Sequence, residues 1–129
     1  MERHISSIVF ASVLALSACA RKAVPPEWTR VTPENAGERV TYLDTAHIVV
    51  NAGIVYVTMQ TRKAGIAVDA TGVPFGLIHA EANCPAHRID PTALKEEQYD
   101  AAGRHVTMQL VSLSAEETAD VLARACKGR

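Results

Sequence analysis

The sequence predicts an α+β fold: an antiparallel β-sheet with a C-terminal α-helix packed on one face and tied to it by a disulfide. Three observations predict it. Short runs of β-branched and aromatic residues recur between Gly, Pro, Asn and Asp clusters from Glu27 to Leu110. One capped amphipathic segment follows them, and two cysteines, Cys84 and Cys126, fall one on each kind of element. With 129 residues, 48% hydrophobic and 21% charged, the chain suits one domain and is too apolar for wholesale disorder. A formal charge of −1 leaves no cationic excess to neutralise phosphates, so nucleic acid is not an expected partner.

The first residues carry an address. An apolar run of nine residues, Ile8 to Leu16, follows a short charged start. It is far below the roughly 20 residues that span a bilayer, and it has the build of a secretory signal peptide. Leu16-Ser17-Ala18-Cys19 has the form of a bacterial lipobox, in which Cys19 is lipidated and becomes the new N-terminus. Ala18-Cys19-Ala20 also satisfies the small-x-small rule of ordinary signal peptidase, and an uncleaved anchor is the third reading. The lipobox reading divides the chain into a signal peptide over 1–18, a lipidated tether over 19–26 and a single domain over 27–129. Acyl chains such as palmitate on Cys19 contribute about 0.8 kcal/mol per buried methylene, enough to anchor without a spanning helix. Ala20 in place of Asp after the cysteine favours the outer membrane of a Gram-negative envelope. Signal removal takes away one acid and one base, so the mature chain keeps its charge of −1.

The elements then follow in order. Residues 27–31 and 39–43 read as strands on either side of the turn-rich Thr-Pro-Glu-Asn-Ala-Gly-Glu, and 44–47 turn a corner. Residues 48–50 extend again before Asn51-Ala52-Gly53, and 54–61 alternate as a half-buried strand. Gly65, Gly72 and Pro74 place a long loop over 62–74. From Phe75 to Cys84 a strand sets Ile78, Ala80, Ala82 and Cys84 on one face and His79, Glu81 and Asn83 on the other. Thr92–Tyr99 and Arg104–Leu110 read as a hairpin around Asp100-Ala101-Ala102-Gly103, with Gly103 at positive φ. The alternation of Val106, Met108 and Leu110 lets that set face a core. Ser114-Ala115-Glu116-Glu117 is a capping box, starting a helix expected to reach about Lys127. Its apolar stripe is Thr118, Ala119, Leu122, Ala125 and Cys126.

Three cysteines cannot all pair. With Cys19 given to lipid, Cys84 on the apolar face of a strand and Cys126 on the helix stripe are left outside the cytoplasm, where disulfides persist. A bond between them is expected; free thiols or a redox role are the alternatives, although no Cys-x-x-Cys motif supports the latter.

Signs of catalysis are few. His79-Ala80-Glu81 with Cys84 lacks the second cysteine motif of the zinc deaminases, and Cys84-Pro85-Ala86-His87 is half of a zinc site at most. His79 and Glu81, with His105 on a neighbouring strand, read as surface polar groups, with a weak metal or acid–base site as the other possibility. Ser112 and Ser114 lie in no nucleophile turn, no phosphate-cradling glycine loop is present, and Glu96-Glu97 read as a solvated face. No cofactor is expected.

Several segments together resemble the surface-adhesin protein E family of Gram-negative lipoproteins. They are the lipobox, Trp28-Thr29-Arg30-Val31, Tyr42-Leu43-Asp44, Val55-Tyr56-Val57-Thr58-Met59, the strand ending in Cys84, Tyr99-Asp100-Ala101-Ala102-Gly103-Arg104, and Glu117 to Cys126. The resemblance implies an antiparallel sheet whose C-terminal helix is tied by a Cys84–Cys126 disulfide, and an envelope location. It departs from the family at Val111-Ser112-Leu113, where a Trp is often found, and at Pro91, which interrupts a stretch usually basic and extended. The expectation is therefore a monomeric, lipid-anchored, non-catalytic protein that binds a protein ligand, adhesin-like. A periplasmic inhibitor or immunity protein, and then a minor envelope hydrolase using His79 and Glu81, are the alternatives. An exposed apolar patch beside the sheet would favour binding, and a pocket converging on His79 and Glu81 would favour the enzyme.

Overall fold

The computed structural model describes residues 23–34 and 36–129. The expected signal peptide over 1–18, the expected lipidation site Cys19 and the beginning of the expected tether over 19–26 lie outside the described residues. The strands are β1 (Trp28–Arg30), β2 (Arg39–Asp44), β3 (Val49–Asn51), β4 (Ile54–Lys63), β5 (Phe75–Asn83), β6 (Arg88–Ile89), β7 (Lys95–Tyr99) and β8 (His105–Leu110). One helix, α1 (Ala115–Ala125), follows them, and a single 3-10 turn at Pro91–Ala93 precedes β7. All pairings are antiparallel, in the order β1-β2-β4-β5-β7-β8, with β3 beside β4 and β6 beside β5. The fold is α+β, as the sequence predicts.

Turn chemistry sets these registers. Ala52 and Gly53 both take positive φ between the paired Asn51 and Ile54, which is the two-residue turn whose twist matches flanking strands. Gly103 closes the β7–β8 hairpin at φ 79°, while the Asp100 carboxylate accepts from the amides of Ala102 and Arg104 at 2.9 and 3.0 Å. Asp44 ends β2 by accepting from the amides of Glu27 and Ala46, both at 3.0 Å. At the helix, the Ser114 hydroxyl accepts from the Glu117 amide at 3.1 Å, and the Glu117 carboxylate accepts from the Ser114 amide at 2.9 Å.

The pleat separates two unlike faces. Leu43, Val55, Val57, Met59, Ile78, Ala80 and Ala82 form the apolar side, and Val121, Leu122 and Ala125 of α1 close over them. The disulfide between Cys84 and Cys126, with Cα atoms 5.5 Å apart, joins the end of α1 to the chain just beyond β5.

Several expectations need correction. β4 runs on to Lys63, so the loop begins at Ala64; the buried Arg62 side chain, under that loop, holds this last turn of strand in place. The segment from Thr92 is a 3-10 turn before β7, because Asp90 caps Thr92 and Pro91 cannot donate. The helix stops at Ala125, where the Cys126 amide closes the last bond to Leu122. Its buried stripe contains Val121 in place of the exposed Ala119. The largest correction concerns β8, where Val106, Met108 and Leu110 are 62%, 53% and 70% exposed rather than core-facing.

Candidate functional site

The residues singled out by sequence do not converge. Cys84 and Cys126 meet in the disulfide and are thereby committed to structure. His79 and Glu81 share the face of β5 away from the helix, with the His79 Nδ1 3.3 Å from the Thr58 hydroxyl. His105 is not their neighbour. It pairs with Tyr99, which pairs with Phe75 at the far end of β5, whereas His79 pairs with Lys95. Among the described residues no group of three or more His, Cys, Asp and Glu could hold a metal ion.

The helix-free face is best read row by row from the register. One row crosses five strands as Tyr42, Gln60, Leu77, Glu97 and Met108. The next contains Thr58, His79, Lys95 and Leu110, and a third contains Val49, Tyr56 and Glu81. Val49 and Tyr56 are 57% and 40% exposed, so apolar groups stand in water at both ends of this surface with charged groups between them. A shallow concavity of about 420 Å³ is lined by His47, Val49, Tyr56, Thr58, His79 and Glu81 among others. Both the apolar surface and the concavity around His79 and Glu81 are therefore present.

One end of this face is braced by a ladder of rings. The Arg62 guanidinium lies 5.0 Å from the Phe75 ring, Phe75 stacks on Tyr99 at 5.0 Å, and Tyr99 meets the edge of His105 at 5.4 Å. Burial draws the Arg62 pKa below its ordinary value, against the opposing pull of Asp69. The Tyr99 phenol is pushed up by burial, by the nearby Glu97 charge and by donating to Glu97 at 3.2 Å.

On the helix side, the end of the sheet beyond α1 is polar where sequence suggested only solvated acids. Glu96 is fully buried. Its carboxylate accepts from the Thr61 hydroxyl at 2.7 Å, from Gln98 at 3.0 Å and from the guanidinium of Arg39. It fits only because the paired strand offers a glycine. A Cβ on Gly76 would stand 2.3 Å from the Thr61 hydroxyl and 2.7 Å from the Glu96 carboxyl carbon. Gly76→Ala is therefore expected to cost about 1–3 kcal/mol by overpacking, seen as a lowered urea midpoint with an unchanged slope.

Beside it, Glu117 accepts from the Thr32 hydroxyl at 2.7 Å, and that hydroxyl accepts from the Thr41 amide at 2.7 Å. Burial works to raise the Glu117 pKa, but hydrogen bonds from Thr32, Ser114 and Thr41 outweigh it and hold the carboxyl below its ordinary value. A depressed carboxyl contributes stability that is complete above its unfolded pKa of about 4.3 and disappears as pH falls through the lower folded value. Glu117→Gln should accordingly flatten the acid limb of stability against pH while leaving the shape of the curve near neutrality unchanged. Thermal unfolding from pH 3 to 7 checks this.

A cleft of about 330 Å³ between the start of α1 and the sheet is lined by both Glu96 and Glu117. Their oxygens are engaged by the donors named above, so the arrangement locks the helix start to the sheet. Sequence reasoning missed Glu96, Gly76 and Arg39 because their meeting is set by strand pairing. No local pattern marks Glu96, because Lys95-Glu96-Glu97-Gln98 is polar throughout. Comparison with known protein families, curated proteins and solved structures finds no match to this chain.

Proposed function

We propose that this chain is a lipid-anchored, non-catalytic envelope protein that binds a protein partner, adhesin-like, through the helix-free face of its sheet. The observation that supports this reading is the surface running from Val49 and Tyr56 to Met108 and Leu110. On it, solvent-exposed apolar groups flank His79, Glu81, Lys95 and Glu97. The sequence resemblance to surface-adhesin protein E lipoproteins supports the same reading, as does the lipobox ending in Cys19. A periplasmic inhibitor or immunity protein would use the same face on a different ligand. No helix among the described residues is long and apolar enough to cross a membrane; in this reading acyl chains on Cys19 supply the anchor.

Two measurements test this. Affinity capture with the mature protein, from envelope extracts and from host matrix proteins, should retain a protein that is lost when Tyr56 is replaced by Glu. Globomycin should make the uncleaved precursor accumulate, and labelled palmitate should be incorporated into the native chain but not into Cys19→Ala; processing unchanged by globomycin, together with no lipid label, would refute the anchor.

The concavity holding His79 and Glu81 motivates a second reading, a minor envelope hydrolase. Under it, His79→Ala or Glu81→Gln would abolish turnover of ester or amide substrates. Under the binding reading no turnover exists to be lost.

A further inference from the structure

β8 is the last strand of the sheet, paired only with β7. All six of its residues are exposed, and none is Lys, Arg, Asp, Glu or Pro, the residues that normally blunt a sheet edge. The opposite edge is unlike it: β1 has three residues and carries Arg30. An unblocked edge with alternating apolar groups is a template for another strand.

Its hydrogen-bonding phase can be read from the ladder. The Val111 amide donates to the Leu94 carbonyl at 3.1 Å, and Leu110 pairs with Lys95, Gln109 with Glu96 and Met108 with Glu97. Thr107, Gln109 and Val111 therefore turn their backbone groups toward β7, and Met108 and Leu110 turn theirs outward. The side chains have matching symmetry. About Met108 the order is Val106, Thr107, Met108, Gln109, Leu110, apolar and polar in alternation from the centre to both ends.

We propose that two copies of this chain pair β8 to β8, antiparallel, about a twofold axis at Met108. Met108 then faces Met108 of the second copy, in a directly opposed pair that exchanges two hydrogen bonds. Val106 faces Leu110 of the second copy on the helix-free side, and Thr107 faces Gln109 on the other. No like charges are opposed along this seam, and the apolar set that finds no core within one copy finds cover in the other. The register shift between Gln98 and Tyr99 sits at the start of β8 and ends the regular edge there. The two helix-free faces become one continuous surface on a dimer, a departure from the monomer expected from sequence.

Met108→Cys in the full chain tests the pairing, because a hydrogen-bonded antiparallel pair sets Cα atoms about 5.5 Å apart, within disulfide range. Mild oxidation should give a covalent dimer on non-reducing gels, in near-complete yield at dilute protein. Tyr56→Cys, exposed on β4 and separated from β8 by β5 and β7, should give no covalent dimer under the same conditions. Met108→Lys, which opposes two like charges, should sediment as a folded monomer whose melting temperature no longer depends on protein concentration, whereas the native chain sediments as a dimer and its melting temperature rises with concentration. Linkage at Met108→Cys no greater than at Tyr56→Cys would overturn the proposal. So would linkage to a protein of different mass, or a ladder of higher multimers.

Discussion

Replacing Cys84 and Cys126 together by alanine is expected to lower stability by about 4 kcal/mol. The two cysteines are 42 residues apart, and the bond removes most of that loop's freedom from the unfolded chain. The folded state has its own reason to need it. α1 is 11 residues long and buries only Val121, Leu122 and Ala125, with Cys126 packed against the same cluster. A helix this short is marginal by itself, so its position depends on packing and on the covalent tie. Against a total of roughly 5–15 kcal/mol for a small domain, 4 kcal/mol is a large share of the stability and raises the unfolded fraction by about a thousandfold. Urea unfolding followed by circular dichroism checks the value. A loss below about 1 kcal/mol would mean that apolar packing alone holds the helix.

The second large effect is expected at Arg39. Among the described residues its guanidinium is the only formal counter-charge bonded to Glu96, whose side chain is 1% exposed. Arg39→Met leaves a buried carboxylate with only Thr61 and Gln98 as donors. Breaking a fully buried pair costs about 3–5 kcal/mol; because the Arg39 side chain is 47% exposed, water replaces part of what is lost. The expected loss is therefore about 2–3 kcal/mol. Adding Glu96→Met removes the stranded charge and should restore most of it, since an unbranched apolar chain fills the same space. A double-mutant cycle in urea measures the coupling, and additive losses would contradict the buried-pair account.

Those two sites also show how far the sequence could be read. The staple was legible, because both cysteines lie on apolar faces and only three cysteines had to be assigned. The capping box and the Asp100–Gly103 turn were legible because each is a local bond between residues a few positions apart. Glu96 was not. Its burial depends on an absent side chain at Gly76 and on donors from β2 and β4, partners that local pattern cannot bring together. β8 was misread for a related reason. Alternation shows that Val106, Met108 and Leu110 share a face, but it does not say whether anything covers that face. Eleven helical residues reach about 16 Å, while six strands at about 4.8 Å spacing spread over roughly 24 Å, so one helix covers one side of the middle. The apolar set on β8 lies on the side the helix never reaches.

The role of that uncovered face is tested most directly by comparing partner capture between two surface variants of residues 20–129. Tyr56→Glu alters the helix-free face, and Glu116→Lys alters the exposed start of α1 on the other side. Binding measured by surface plasmon resonance should weaken at least tenfold with Tyr56→Glu and remain within about twofold of the parent with Glu116→Lys, the tenfold loss corresponding to about 1.4 kcal/mol. Unchanged binding with Tyr56→Glu, or a loss confined to Glu116→Lys, would contradict the assignment of the helix-free face as the binding surface.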